Sequence, residues 1–144
     1  MTVEPLLRDA GINDAAALAG LVTQLGYPCG IQEVTARLTA LHAADQGVLV
    51  AEVNRAVVGL VHVQRLATLV LDDAAEIGAL VVDGKWRGQG IGRALLDAAA
   101  GWATQRGCRA LYVRTNIVRQ RAHGFYLRNG FQQVKTSLTL LKEL

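Results

Sequence analysis

The sequence predicts a mixed α+β or α/β fold in three layers, a central mixed β-sheet of six to seven strands with helices on both faces. Three observations lead there. Short β-rich runs and helical periodicities follow one another in the order β, α, α, β, β, β, α, β, α, β. The middle of that order reads as an antiparallel meander, and its last part as strands joined through helices, which parallel pairs require. Apolar residues make up 51% of the chain and aromatic ones only 5%, so the core must be aliphatic. At 144 residues, with no repeat, linker or low-complexity stretch, a single domain over residues 1–144 is the economical expectation.

The elements follow in order. Thr2 to Arg8 reads as a first strand. Asn13 or Asp14 can cap a helix in which Leu18, Leu21, Val22 and Leu25 recur at helical spacing, and Gly26-Tyr27-Pro28 ends it. Ile31, Val34, Leu38 and Leu41 mark a second amphipathic helix. Val48 to Val53 and Val57 to Arg65 are β-rich runs on either side of Asn54-Arg55-Ala56, a hairpin signal. Ala74 to Val82 reads as a buried strand stopped by Asp83-Gly84, and Gly90 to Gln105 as a long helix with Ile91, Leu95, Ala99 and Trp102 on one face. Ala110 to Arg114 is a strand, Gln120 to Asn129 a helix closed by Gly130, and Phe131 to Lys142 the expected final strand.

Composition narrows the function. No apolar run approaches the roughly 18 residues that span a bilayer, and the N-terminus lacks the basic and apolar order of a signal peptide. Cys29 and Cys108 form no metal-ligand spacing and no disulfide framework, so reduced thiols and a cytoplasmic location are expected. The charge is uneven. Residues 1–84 carry four Arg against ten Asp and Glu, a net −6, whereas residues 85–144 carry eleven Lys and Arg against Asp97 and Glu143, a net +9. A polyanionic ligand suits the basic half and a cationic one the acidic half. Nucleic acid is disfavoured as that polyanion, because the arginines are scattered and few aromatics interleave with them.

The sharpest signal runs from Val81 to Arg93, where a buried strand enters a glycine-rich turn that opens a long helix. The first amides of such a helix have no internal partners and sit at the positive end of its dipole, so they form a phosphate cradle that glycines let a ligand approach. A Walker loop is excluded, since no Gly-Lys-Ser/Thr ends the turn. A dinucleotide fingerprint spaces its glycines by two and then three, whereas Gly88, Gly90 and Gly92 are spaced by two and two. The remaining pattern is Arg/Gln-x-x-Gly-x-Gly, matched by Arg87, Gly90 and Gly92. One strand and one helix later comes Tyr126, ahead of Gly130-Phe131, and Ala75-Glu76-Ile77 sits at the head of the preceding strand.

Together these residues make the sequence resemble the GNAT superfamily of N-acetyltransferases. The resemblance implies that Leu80, Val81 and Val82 hold the pantetheine arm of acetyl-CoA, and that Arg87, Gly88, Gln89, Gly90, Ile91, Gly92 and Arg93 hold its pyrophosphate. The Leu80 amide would polarise the acetyl carbonyl, Tyr126 would protonate the departing thiolate, and Glu76 would act as general base, directly or through water. Tyr27 would line the acceptor site with Glu76, and acidic Glu33, Asp72 and Asp73 would favour a cationic acceptor. The pattern departs from the family at Arg119, where many members carry asparagine. Asn116 lies nearby, so either of these two could contact CoA.

The expected reaction is direct transfer from acetyl-CoA to a primary amine of a small molecule. The expected partners are acetyl-CoA and that amine, without metal, nucleic acid or membrane, and a homodimer is allowed. The alternatives are an acyl-CoA sensor without catalysis and an enzyme acting on protein N-termini or lysines. His123 reads as a packing or exposed residue, and His42 and His62 show no partner in the sequence. Cys29 shows no basic neighbour that would activate it as an acyl-carrying nucleophile.

Overall fold

The structure is a computed structural model that describes residues 3–41 and 43–144. The strands are β1 (Leu6–Asp9), β2 (Gln46–Val53), β3 (Ala56–Leu66), β4 (Ala74–Val82) and β5 (Ala110–Val113). The helices are α1 (Ala15–Leu25), α2 (Ile31–Ala40), α3 (Ile91–Gln105) and α4 (Gln120–Arg128). The expected first strand begins late, at Leu6, and its Thr2 lies outside the described residues. The sheet has five strands in the order β1-β2-β3-β4-β5, one fewer than the lowest expectation. The missing strand is Phe131 to Lys142, which has no regular secondary structure. A strand exists only where a neighbour takes its backbone hydrogen bonds, and among the described residues this segment pairs with none.

Strands β1 to β4 form an antiparallel meander, and β5 joins β4 in parallel after the α3 crossover. The β2–β3 turn places Asn54 and Arg55 at φ 50° and 65°, the left-handed geometry of a two-residue hairpin, and Asn is among the non-glycine residues that tolerate it best. Two irregularities interrupt the ladders: one in the β2–β3 pair at Ala51/Glu52, the other in the β3–β4 pair at His62/Val63.

Each sheet face is covered. On one, Leu18, Ala19 and Leu21 of α1 and Val34 of α2 pack with Val50, Leu60 and Val81 of the sheet. On the other lies α3, whose Ile91, Leu95, Ala99 and Trp102 are buried at helical spacing. Gly59 lets α3 approach, since a Cβ there would lie 2.9 Å from Leu95 Cδ1 and 3.1 Å from the Val81 carbonyl. Gly47 does the same for Trp102, whose Nε1 would lie 2.5 Å from an added Cβ. Asp14 does not cap α1 with its side chain. Its carboxylate instead accepts from Gly11 N–H at 2.8 Å and pairs with Arg8, whose side-chain hydrogen bonds lower its pKa.

The chain divides into two compact units, one ending at Arg114 and the other Thr115–Leu144. The first holds the sheet, α1, α2 and α3. The second holds α4, an Asn116 turn, and an aromatic group in which Tyr126 meets Phe125 and Phe131 edge to face at 5.3 and 5.4 Å.

Candidate active site

The first unit brings the expected cofactor residues of β4 and α3 into one continuous stretch. β5 pairs with β4 only from Ala74 to Ile77, so from Gly78 to Val82 the outer edge of β4 has no strand beside it among the described residues. Leu80 and Val82 are two residues apart, and alternation along a strand points their N–H groups to the same side. An extended arm with amide groups can add there as an extra strand.

The chain then turns through Gly84–Trp86, a short 3-10 turn held by the Asp83 carboxylate, which accepts from Lys85 N–H at 3.0 Å. Gly84 N–H donates to Gln24 Oε1 at 3.0 Å, which ties the turn to α1. Arg87 Nε donates to the Val82 carbonyl at 3.3 Å and otherwise projects into solvent. Gly88 and Gly90 both have positive φ, 75° and 85°, and Gly90 occupies the N-cap of α3. Glycine is required there because a Cβ would strain the left-handed backbone. The first helical bond beyond it is Ala94 N–H to the Gly90 carbonyl, so the amides of Ile91, Gly92 and Arg93 precede the ladder. Gln89 is fixed through its carbonyl, which accepts from Val3 N–H at 3.0 Å.

Glu76 lies on the same strand, its side chain 13% exposed, with Oε2 3.1 Å from Arg114 Nε. Tyr27 is exposed in the α1–α2 turn, beyond Gly26 at φ 109°. Glu33 serves α2 itself, accepting from Gly30 N–H at 3.3 Å and pairing with Arg37 at 3.6 Å. Asp72 and Asp73 line an open cleft of about 450 Å3 with Leu69, Val70, Leu71, Arg109 and Tyr112.

Cys29 departs from the sequence reading. Helix α2 brings Arg37 Nη1 to 3.3 Å from its Sγ, so the thiol does have a basic neighbour, eight residues away. Cys29 and Cys108 are both free thiols.

In the second unit, burial raises the Tyr126 phenol above its ordinary pKa, opposed by the charge of Arg119. Tyr126 therefore keeps its proton at neutral pH, as a proton donor must. Asn116 Oδ1 accepts from Val118 N–H at 3.1 Å, and the Asn116 carbonyl accepts from His123 Nε2 at 2.9 Å. Arg119 stands at the N-cap of α4. Among the described residues no helix is long and apolar enough to cross a membrane.

The profile of the acetyltransferase (GNAT) family matches residues 18–131. The chain belongs to that family. An aminoglycoside N(6')-acetyltransferase type 1 of Stenotrophomonas maltophilia is 30% identical over 137 residues, covering 91% of this chain and 88% of that one. An uncharacterized N-acetyltransferase of Methanocaldococcus jannaschii is 33% identical over 105 residues, covering 69% of this chain. This chain spans only 46% of that relative's length. Among solved structures, AAC(6')-Iy in complex with a bisubstrate analogue superposes with a TM-score of 0.86 at 17% identity, covering 99% of this chain and 100% of the other. The likeness confirms the mixed fold.

Sequence reasoning missed a polar group on the sheet. His62 of β3 lies 2.6 Å through Nε2 from Gln46 Oε1, and Gln46 Nε2 donates to Gln64 Oε1 at 3.3 Å. Burial lowers the His62 pKa. The available signal was His62 and Gln64 two residues apart in an otherwise apolar run, which puts them on one strand face.

Proposed function

We propose that the chain is an acetyl-CoA-dependent N-acetyltransferase that acetylates a primary amine of a small molecule by direct attack in a ternary complex. The observation that carries this reading is the open edge of β4, running through a glycine turn into the unpaired amides of α3. One ligand with an amide-bearing arm and a pyrophosphate fits that stretch, and acetyl-CoA is such a ligand.

On this reading Leu80 N–H stabilises the oxyanion, and Val81 and Val82 hold the arm. Residues Arg87 to Arg93 bind the pyrophosphate. Tyr126 supplies the proton taken by the departing thiolate. Asn116 and Arg119 remain the candidates for a further CoA contact. Glu76, whose Oε2 pairs with Arg114, can hold the acceptor's ammonium or take its proton directly or through water. Tyr27 lines the acceptor site. Asp72 and Asp73 beside the cleft favour a cationic acceptor, and the named activity of the Stenotrophomonas relative supports a small cationic amine. Residues 1–144 would work as one domain, in the cytoplasm, where acetyl-CoA is available and thiols stay reduced. A sensor would bind acyl-CoA equally well but would have no use for a half-buried, protonated Tyr126.

The test is an amine panel of a polyamine, an aminoglycoside, amino acids and a lysine peptide, read by thiol release and product mass. Thiol release with one acetyl group gained by a small amine is the expected result. CoA binding without turnover on any amine would favour the sensor, and acetylation of the peptide alone would favour a protein substrate.

A further inference from the structure

The chain ahead of β1 reaches the glycine turn. Val3 donates its backbone N–H to the Gln89 carbonyl at 3.0 Å, a bond that the fold makes between residues far apart in sequence. Val3 and Gln89 are half-buried, whereas Arg87, Gly88 and Gly90 around them are exposed. Among the described residues this is the one hydrogen bond that another element supplies to Gly88, Gln89 or Gly90. The other ties of the turn lie ahead of them, at Asp83, Gly84 and Arg87. Gln89 is therefore the point at which the exposed part of the turn is anchored.

The anchor sets the direction of a neighbouring donor. A trans peptide unit carries its C=O and its N–H on opposite sides, and the chain has no cis bond among the described residues. Holding the Gln89 carbonyl against Val3 therefore turns the Gly90 N–H away from Val3. That N–H has no partner among the described residues and immediately precedes the open amides of Ile91, Gly92 and Arg93. Gly90 also makes the opposite arrangement accessible. Glycine takes φ of either sign at little cost, so the unit between Gln89 and Gly90 can turn over. Its carbonyl oxygen would then stand where the N–H now points, and a carbonyl oxygen repels a phosphate. The Val3 N–H has its acceptor only in the first arrangement.

We propose that Val3 is a positioning residue of the cofactor site, whose backbone N–H holds the Gln89–Gly90 peptide so that the Gly90 N–H is presented to the pyrophosphate of acetyl-CoA. The inference rests on the acetyltransferase reading above. Val3 acts through Gln89, so its effect falls on cofactor affinity and not on the transfer step. The donor is a main-chain amide, so the effect does not depend on the side chain at position 3. The coupling is reciprocal. A pyrophosphate held by the Gly90 N–H fixes the carbonyl on the other side of the same peptide, and so strengthens the bond from Val3. The segment ahead of β1 and the cofactor thus favour each other.

The test is calorimetry of CoA and steady-state thiol release for wild type, Val3→Pro and Val3→Ala, with urea unfolding to show that each is folded. Proline has no N–H to donate, whereas alanine keeps it. Val3→Pro is expected to weaken CoA, and to raise the KM for acetyl-CoA, at least roughly tenfold, the scale of a lost hydrogen bond to a charged group. Its kcat and its KM for the amine should stay near those of wild type. The conservative Val3→Ala should bring the affinity back. In wild type, CoA should slow hydrogen exchange at the Val3 amide by a similar factor, a reading that needs no variant. Val3→Pro with the CoA affinity of wild type overturns the proposal. An equal loss in Val3→Ala does so too, since the side chain would then be the cause. A fall in kcat as large as the rise in KM, or a Val3 exchange rate that CoA leaves unchanged, also overturns it. A wild type that neither binds CoA nor releases thiol overturns the acetyltransferase reading itself.

Discussion

At the level of single residues, Tyr126 and Glu76 could be singled out from sequence, but His62 could not. Tyr126 was legible because a tyrosine shortly before Gly-Phe, on a helix after the glycine turn, is a local pattern. If it donates the proton, Tyr126→Phe keeps the ring among Phe125 and Phe131 but removes the acid. Turnover should then fall at least roughly tenfold with CoA affinity unchanged, and steady-state kinetics beside calorimetry would show it. A fully active variant would make the ring a packing residue. The pairing of His62 with Gln46 depends on the irregularity at Ala51/Glu52. Without that extra residue the hairpin register would set Gln46 against Val63, on the opposite face from His62. Nothing in the local sequence announces such a bulge. His62 also carries a stability prediction. Its folded pKa is depressed, so its contribution is present above the unfolded value near 6.5 and declines as pH falls through that value toward the folded one. Urea unfolding should therefore show His62→Gln losing less stability than wild type between pH 8 and 5.

Among the elements, those with strong periodicity appear where the sequence places them. β4 spans Ala74–Val82 as expected, and α3 begins within one residue of expectation because Gly90 in the left-handed region can only precede the helix. The final strand is the exception. From Val134 to Leu144 the even positions are mostly apolar and the odd ones mostly polar, a half-buried strand pattern, yet a pattern does not supply a partner. Val134, Leu138, Leu140, Leu141 and Leu144 stand exposed. The α3 contact supplies a sharper test. Gly59→Ala would set a methyl 2.9 Å from Leu95 Cδ1, and overpacking of that kind costs about 1–3 kcal/mol. Leu95→Ala, at 0% exposure, should cost about 2–5 kcal/mol. Chemical denaturation would measure both, and a neutral Gly59→Ala would mean that α3 shifts freely.

For the molecule as a whole, the core lies in the unit ending at Arg114, and residues 132–144 are exposed with no backbone hydrogen bond among the described residues. Amide exchange should accordingly be slowest in β2, β3, β4 and α3 and nearly unprotected in residues 132–144. The charge asymmetry visible in the sequence takes on meaning through the fold: the basic half begins at the glycine turn, and the acidic half carries the cleft with Asp72 and Asp73. The proposed acceptor site was not legible, because the residues assigned to it come from the α1–α2 turn, the β3–β4 loop and β4, which are far apart in sequence. The proposed cofactor stretch could be picked out because it is continuous in sequence. It is also where the account is most exposed to test. Calorimetry of CoA against wild type and a folded Arg87→Ala/Gly90→Val double mutant asks whether that stretch holds the pyrophosphate. The account predicts binding by wild type and none by the mutant, since a side chain at position 90 blocks phosphate approach and the guanidinium's charge-assisted bond is gone. Equal affinity in the two proteins would contradict it.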